Sequence, residues 1–189
     1  DVRRIKRSGK LAAAIGIENG YVIGKDLSLL KTYHDLGARY MTLAHGGHND
    51  IADSSTPRFN LGDEGEEHGG LSAFGEEVVA EMNRLGIFVD VSHISRTASL
   101  HAARVSRAPV IASHSSTVRW ADVPRNMDDE QLRAVAETGG VVQRVALGGY
   151  VKVPPQERQQ ALQQLRQDFD LPAGRRAQAV IDSMPAERR

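Results

Sequence analysis

The sequence has no cysteine among its 189 residues, which excludes disulfides, thiolate metal sites and cysteine nucleophiles. It has no excess of one charge, because 24 Lys and Arg balance 24 Asp and Glu. A nucleic-acid-binding domain is usually basic, so no nucleic-acid partner is expected. No apolar run approaches the roughly 20 residues of a transmembrane helix. The charged first residues also lack the apolar core of a signal peptide. The remaining composition, 40% hydrophobic and 25% charged, is that of a globular domain and indicates no particular compartment.

Short apolar runs alternate with helical patterns along residues 1–150. The apolar runs predict five strands, at 11–17, 40–44, 87–91, 109–112 and 141–146. Between them, capping residues and helical spacing predict four helices, at 26–36, 72–85, 95–106 and 128–138. Strands that alternate with helices predict an α/β fold with a parallel sheet and right-handed crossovers. Both a doubly wound open sheet and a (β/α) barrel fit this pattern.

The segment 151–189 has a different composition. It contains seven Gln and many charged residues, and it has no strand pattern. We predict two exposed helices in it, at 155–168 and 175–184. They are interpreted as a helical excursion that belongs to the same domain as residues 1–150.

Polar side chains that could bind a metal follow the predicted strands. Glu18, His45, His93 and His114 each come just after one of the apolar runs. In parallel α/β folds the carboxyl ends of the strands form one rim where ligands bind, so these side chains are expected to converge. A carboxylate with imidazoles and no thiolate suits Zn²⁺ or a related divalent ion. A single histidine after a strand is more often a capping or solvated residue, so the prediction depends on the four together.

The long loop at 46–71 holds two weaker candidates. His48 and Asp50 form a His-x-Asp pair, but they lie inside the loop, and a loop turn is the simpler interpretation. The acidic stretch 66–68, Glu-Glu-His, is interpreted as solvated, although it could hold a cation loosely.

The other candidates lie on helices or after the fourth strand. His34 and His101 fall inside helical patterns and are interpreted as packing or surface residues. Arg125 lies on the segment that leaves the fourth strand, where it could bind a carboxylate. A surface salt bridge is the alternative for Arg125. Ser115 and Ser116 follow His114 without a nucleophile elbow, which argues against a serine hydrolase.

Several stretches of the sequence resemble peptidase family M19, the membrane dipeptidases. They span residues 11 to about 150, and they are GIENG (16–20), DLGARYMTLAH (35–45), NDIADSST (49–56), GLSAFGEEVVAEMNRLGIFVDVSH (70–93), PVIASHSS (109–116), RN (125–126) and GGVV (139–142). The resemblance implies a (β/α)₈ TIM barrel of the metal-dependent amidohydrolase type, with two Zn²⁺ ions and a dipeptide substrate.

The resemblance also implies roles for five residues. Glu18 matches the carboxylate that bridges the two metals, and His93 and His114 match the histidines of one metal. His45 matches a histidine that contacts the substrate and its tetrahedral intermediate, which makes it the expected catalytic residue. Arg125 matches an arginine that binds the substrate carboxylate.

The sequence departs from the family in two places. The His-x-Asp pair that precedes the GIENG-like stretch does not occur, and neither does the Gly-x-Asp-x-Asp-Gly motif that supplies the proton-transferring Asp. The chain, which begins without Met, is therefore expected to be a central fragment with about five of eight βα units. We expect one complete metal site and impaired dipeptidase activity.

Two other functions stay open at this stage. The first is a non-catalytic fragment or a single-metal binding module, and the second is another barrel hydrolase, which the GLSAFG and VDVSH stretches disfavour. An incomplete barrel leaves sheet edges unpaired, so the chain is expected to aggregate, to form a homodimer or to fold only partly.

Overall fold

The structure of the chain is a computed structural model that describes residues 2–169. It contains five strands, β1 (Ile15–Glu18), β2 (Ala38–Thr42), β3 (Phe88–Asp90), β4 (Ile111–Ser115) and β5 (Val141–Arg144). It contains seven α-helices in the described range, α1 (Val2–Arg7), α2 (Ser28–Asp35), α3 (Ala73–Leu85), α4 (Arg96–Val105), α5 (Asp129–Glu137), α6 (Gly148–Val151) and α7 (Gln156–Asp168). Two short 3₁₀ helices cover Gly20–Ile23 and Phe59–Leu61. Within the described part of the chain, none of the helices combines the length and the apolar character needed to cross a membrane.

The strands form one parallel sheet in the order β1-β2-β3-β4-β5, which is also their order in the chain. A doubly wound sheet reverses its strand order at a switch point, and no reversal occurs among these five strands. Sequential parallel strands with right-handed crossovers form an arc of a barrel. The structure therefore decides between the two predicted architectures and confirms a partial (β/α) barrel.

Side chains that alternate along the strands separate into two faces. Met41 and Val89 are fully buried and pack with Val78, Val79 and Met82 of α3 in the main core. Burial of large apolar side chains on this scale stabilises each by roughly 1.5–3 kcal/mol. This core fixes the helices against the sheet, and it leaves the strand ends free to carry polar groups.

The opposite face of the sheet, here called the open face, is far more exposed. It lines a groove of about 1050 Å³, and its apolar side chains are Tyr40, Phe88, Ile111 and Val141. In a closed barrel this face is the interior. Phe88 and Val141 are 47% and 52% exposed, so the five strands alone leave the barrel interior open.

The strand boundaries differ from the predictions in ways that hydrogen bonding explains. The first strand begins at Ile15 rather than Leu11, because its ladder with β2 starts at the Ile15–Ala38 pair. The fourth strand is shifted towards its carboxyl end: Pro109 has no N–H to donate, and pairing with β5 continues to Ser115. His114 therefore lies within β4, and the prediction that it follows the strand was wrong.

The predicted helix starts are mostly confirmed. Ser72 and Ser95 accept from Gly75 N and Ala98 N, as N-caps do, and Asp128 forms a full capping box with Gln131. Asp26 was predicted as the cap of α2, but Leu27 holds that position, and Asp26 Oδ1 accepts from Ser28 N and Oγ instead.

The remaining helices were less predictable from sequence. The short helices α1 and α6 were not predicted, whereas α7 coincides with the predicted helix at 155–168. The other predicted tail helix, at 175–184, lies outside the described residues. By its contacts the chain divides into a unit from Asp1 to Val151, which carries the sheet, and a unit that begins at Lys152. That both belong to one domain stays a prediction.

Candidate metal site at the strand ends

The structure brings Glu18, His93 and His114 together at the carboxyl end of the sheet. One ligand atom from each lies within 4.8 Å of the others. Glu18 Oε1 is 3.2 Å from His93 Nε2 and 3.0 Å from His114 Nε2, and the two Nε2 atoms are 2.7 Å apart. Three strands deliver these side chains: Glu18 ends β1, His93 follows β3 and His114 lies in β4.

This group fits a zinc ion both in chemistry and in spacing. Two imidazoles and one carboxylate form a donor set that occurs in catalytic zinc sites. Tetrahedral zinc with bonds of about 2.0–2.1 Å needs ligand atoms about 3.3 Å apart, and the observed separations of 2.7–3.2 Å lie close to that. Within residues 2–169 this is the only such group of His, Asp or Glu found.

The backbone of His93 takes an uncommon conformation that the preceding loop holds in place. Its φ is +70°, in the left-handed region that non-glycine residues seldom adopt. Its carbonyl oxygen accepts from Ser55 N at 2.8 Å and from Ser54 Oγ at 3.4 Å. Such strain persists only where the surroundings enforce it, and it is common at functional sites.

The surroundings of the His93 ring favour its neutral form. Burial of the ring, followed by the positive charges of Arg125, His45 and His114, lowers the pKa of His93 from 6.5 to about 3. The ring is only 10% exposed. A neutral imidazole keeps the lone pair that a metal needs, so protons compete little for this nitrogen at neutral pH.

The lowered pKa predicts how the metal-free chain responds to acid. Between pH 6.5 and 3 the unfolded chain binds a proton on His93 that the folded chain does not. The free energy of unfolding should therefore decrease as the pH is lowered through that window, by at most ~1.4 kcal/mol per pH unit from this group. His93→Asn, whose residue type tolerates positive φ, should flatten the slope in urea unfolding measured from pH 4 to 8. His34→Gln serves as the control, and equal slopes in His93→Asn and the unmodified chain would contradict the prediction.

His45 lies beside the same group but is more exposed. Its ring stacks on the His93 ring with centroids 4.0 Å apart, and its Nε2 is 3.5 Å from Glu18 Oε1. The side chain is 42% exposed. His45 can therefore reach a molecule bound next to the three converging side chains. A pocket of about 380 Å³, lined in part by Glu18 and His114, opens there.

Arg125 is a buried cation that has no carboxylate partner within residues 2–169. It is 6% exposed, and its guanidinium donates to His114 O at 2.8 Å and to Ser115 Oγ at 3.2 Å. The ring of Tyr150 lies 5.3 Å away, and burial lowers the Arg125 pKa. The surface salt bridge considered from sequence is not formed with any residue in the 2–169 range. A buried cation of this kind can bind an anionic ligand at little desolvation cost.

The loop candidates have structural partners. His48 Nδ1 accepts from Ser54 N at 2.9 Å, and His48 Nε2 donates to Glu64 O at 3.1 Å. Asp50 pairs with Lys25 at 3.1 Å on the surface. With both ring nitrogens of His48 bonded to backbone, the loop interpretation of the His-x-Asp pair is supported.

The other histidines also contact protein groups. His68 was interpreted as solvated, but its Nε2 donates to Asn49 O at 2.8 Å. His101 Nδ1 accepts from Leu71 N, and its Nε2 contacts Glu76, so its interpretation as a packing residue holds. His34 is 30% exposed on α2.

Sequence reasoning missed Asp90, which lies directly beneath the site. It was assigned only as part of an apolar strand, yet it is fully buried. A single charge within the run IFVDV was the available signal, because buried carboxylates are rare unless they have partners. Tyr150, which contacts Arg125, was also missed, and nothing in the sequence pattern distinguishes it.

The sequence matches known dipeptidases. A family model described as "Membrane dipeptidase (Peptidase family M19)" matches residues 1–183. The chain is 43% identical to Dipeptidase aclJ of Aspergillus oryzae over 71% of this chain and 30% of that protein. It is also 43% identical to Dipeptidase tcpJ of Claviceps purpurea, over 75% of this chain and 32% of that protein. The chain thus spans about a third of the length of these curated relatives.

Solved structures are similar as well. The probable dipeptidase PvdM from Pseudomonas aeruginosa aligns with a TM-score of 0.81 and 34% identity, over 98% of this chain and 48% of that one. A metallopeptidase from Rhodobacter sphaeroides, solved with a phosphinate mimic of the dipeptide L-Ala-D-Ala, aligns with a TM-score of 0.65 and 26% identity, over 88% of this chain and 49% of that one.

Proposed function

The chain belongs to peptidase family M19, the membrane dipeptidases, and on that premise we propose that it provides the metal centre of a zinc-dependent dipeptidase. The reaction proposed is hydrolysis of the peptide bond of a dipeptide. The observation that carries the proposal is the convergence of Glu18, His93 and His114 within 4.8 Å. We assign the complete activity to the parent protein, meaning the full-length product in which this segment lies.

Glu18, His93 and His114 are the proposed metal ligands. The lowered pKa of His93 keeps one of the two imidazoles neutral, and the exposed Glu18 carboxylate faces both rings. When bound, a zinc ion supplies a Lewis acid that polarises a carbonyl group and lowers the pKa of water. The family resemblance implies two zinc ions, whereas residues 2–169 provide one group of three potential ligands.

His45 is the proposed catalytic residue. It stacks on His93 and is partly exposed, so its ring can face a peptide carbonyl bound beside the three ligands. An imidazole N–H there would donate a hydrogen bond to the oxygen that becomes negative in the tetrahedral intermediate.

Arg125 is the proposed binding residue for the substrate carboxylate. Its buried guanidinium has no carboxylate partner among the described residues, and it lies next to His114. A dipeptide has a free carboxylate close to its single peptide bond, so a cation near the metal site would favour dipeptides over longer or blocked peptides.

A second candidate function is a single-metal binding module without catalysis. The observation that favours it is the presence of one group of three potential ligands within residues 2–169. The homodimer expected from the unpaired sheet edges stays a prediction.

The test of the proposed function is hydrolysis of Gly-Leu and of Gly-Leu amide by the zinc-loaded parent protein. We expect turnover of Gly-Leu that a chelator abolishes, and far weaker turnover of the amide.

Arg125→Ala should raise KM for Gly-Leu by about 10–150-fold, the equivalent of one hydrogen bond to a charged group. It should also reduce the preference for Gly-Leu over Gly-Leu amide. Arg119→Ala, an exposed arginine on the same segment, is the matched control. Absence of hydrolysis would refute the proposed dipeptidase activity. An unchanged preference for Gly-Leu over Gly-Leu amide in Arg125→Ala would refute the proposed role of Arg125.

A further inference from the structure

Asp90 is a fully buried carboxylate whose acceptor capacity is used completely. Its Oδ1 accepts from Ser92 N at 3.0 Å and from Ser113 N at 2.9 Å. Its Oδ2 accepts from Thr42 Oγ1 at 2.6 Å and from the Ser113 hydroxyl. An ionised carboxylate offers about four acceptor positions, and here two backbone N–H groups and two hydroxyl groups fill them. Asp90 thereby joins β2, β3 and β4 directly beneath the candidate metal site.

One of these donors connects Asp90 to His114. Ser113 Oγ lies 2.8 Å from His114 Nδ1. A hydroxyl group has a single proton, and the Ser113 proton is directed at the Asp90 carboxylate. Only lone pairs of Ser113 Oγ then face the imidazole, so Nδ1 of His114 must be the N–H donor in this contact.

The proton on Nδ1 determines the state of the other ring nitrogen. In a neutral imidazole only one nitrogen has a proton, so Nε2 of His114 has the lone pair. That Nε2 is the atom 3.0 Å from Glu18 Oε1 and 2.7 Å from His93 Nε2. The backbone N–H of His114 donates to Ser92 Oγ at 3.1 Å, and this hydrogen bond holds the backbone of His114 in place.

We propose that Asp90 is a positioning residue that acts through the Ser113 hydroxyl to hold the His114 proton on Nδ1, so that Nε2 is ready to bind the metal. The inference depends on the proposed role of His114 as a ligand. Neither Asp90 nor Ser113 belongs to the group of converging side chains, Glu18, His93 and His114. Hydrogen bonds to the remote nitrogen of a ligating histidine fix its tautomer and orientation, and losing them costs about 10–100-fold in metal affinity.

The tautomer can be measured without any metal. We would record ¹⁵N–¹H correlation spectra of the histidine rings in the metal-free 189-residue chain at pH 8. The expected result is His114 protonated on Nδ1. Asp90→Asn presents an amide N–H to Ser113, which frees the serine proton to point at His114 and should move the ring proton to Nε2. Ser113→Ala removes the acceptor and should also reduce the Nδ1-protonated form.

The matched control is Thr42→Val, which removes a hydrogen bond to the same Asp90 oxygen without touching His114. Zinc affinity, measured by chelator competition, should fall about 10–100-fold in Asp90→Asn and Ser113→Ala and change little in Thr42→Val. A His114 ring protonated on Nε2 in the unmodified chain would overturn the proposal even if no variant folds. Equal losses in Ser113→Ala and Thr42→Val would also overturn it, since they would indicate a merely structural effect. Failure of the unmodified chain to bind zinc would instead refute the proposed function. The tautomer of His114 would still be measured from the NMR spectra of the metal-free chain, so the two failures can be distinguished.

Discussion

The 189-residue chain, supplied with Zn²⁺ and Gly-Leu, should hydrolyse the dipeptide at least about 10²–10⁴-fold more slowly than the parent protein. Positioned acid–base groups typically contribute a factor of that size, and the motif that the resemblance implies for the proton-transferring Asp does not occur in this sequence. Glu18, His93 and His114, the proposed ligands, would hold one zinc ion able to lower the pKa of water, but the charge stabilisation of a second ion would be missing. The open face also leaves the substrate poorly confined, and loss of orientation reduces the rate further.

The experiment depends on removing host peptidases, because a trace of a fast host peptidase would give the same hydrolysis rate as slow turnover by the 189-residue chain. His93→Ala provides the necessary control, since residual turnover that survives this change does not come from the proposed site. Rapid hydrolysis by the unmodified chain that disappears in His93→Ala would contradict the argument. It would show that the described residues suffice for catalysis.

The positions of the site residues could be predicted because one rule of parallel sheets determines them. Carboxyl ends of parallel strands meet at one edge, so Glu18, His93 and His114 come together although up to 96 positions separate them in sequence. The rule needs only approximate strand ends. It therefore tolerated the error at β4, where His114 lies within the strand and not after it.

The features that could not be predicted depend on pairing and on burial. Strand β1 begins where β2 offers a partner, and no property of Leu11 reveals that. From the sequence, Arg125 is interpreted as either a surface or a site residue. Only the structure shows that Arg125 is buried next to His114 and that it has no ion-pair partner in the described part. Asp90 gave a visible signal, a charge in an apolar strand, but its four donors come from residues up to 48 positions away.

The strained backbone at His93 belongs to the same class of feature. A histidine at φ +70° is not suggested by its neighbours in sequence, and the carbonyl of His93 is held by a loop that lies about 40 residues earlier. That loop includes NDIADSST (49–56), one of the stretches that carry the resemblance to the family. Through Ser54 and Ser55 this stretch holds the backbone of His93, a proposed ligand.

The most direct test of the metal centre is a titration of the metal-free 189-residue chain with Zn²⁺, followed by metal analysis of the dialysed protein. We expect one tightly bound ion per chain, because residues 2–169 contain one group of three potential ligands. His114→Ala should reduce the affinity by more than the roughly 10–100-fold that loss of an outer hydrogen-bond partner costs, whereas His34→Gln, an imidazole outside the site, should bind as the unmodified chain does. Two tightly bound ions per chain, or unchanged affinity in His114→Ala, would contradict the assignment of Glu18, His93 and His114 as the zinc ligands.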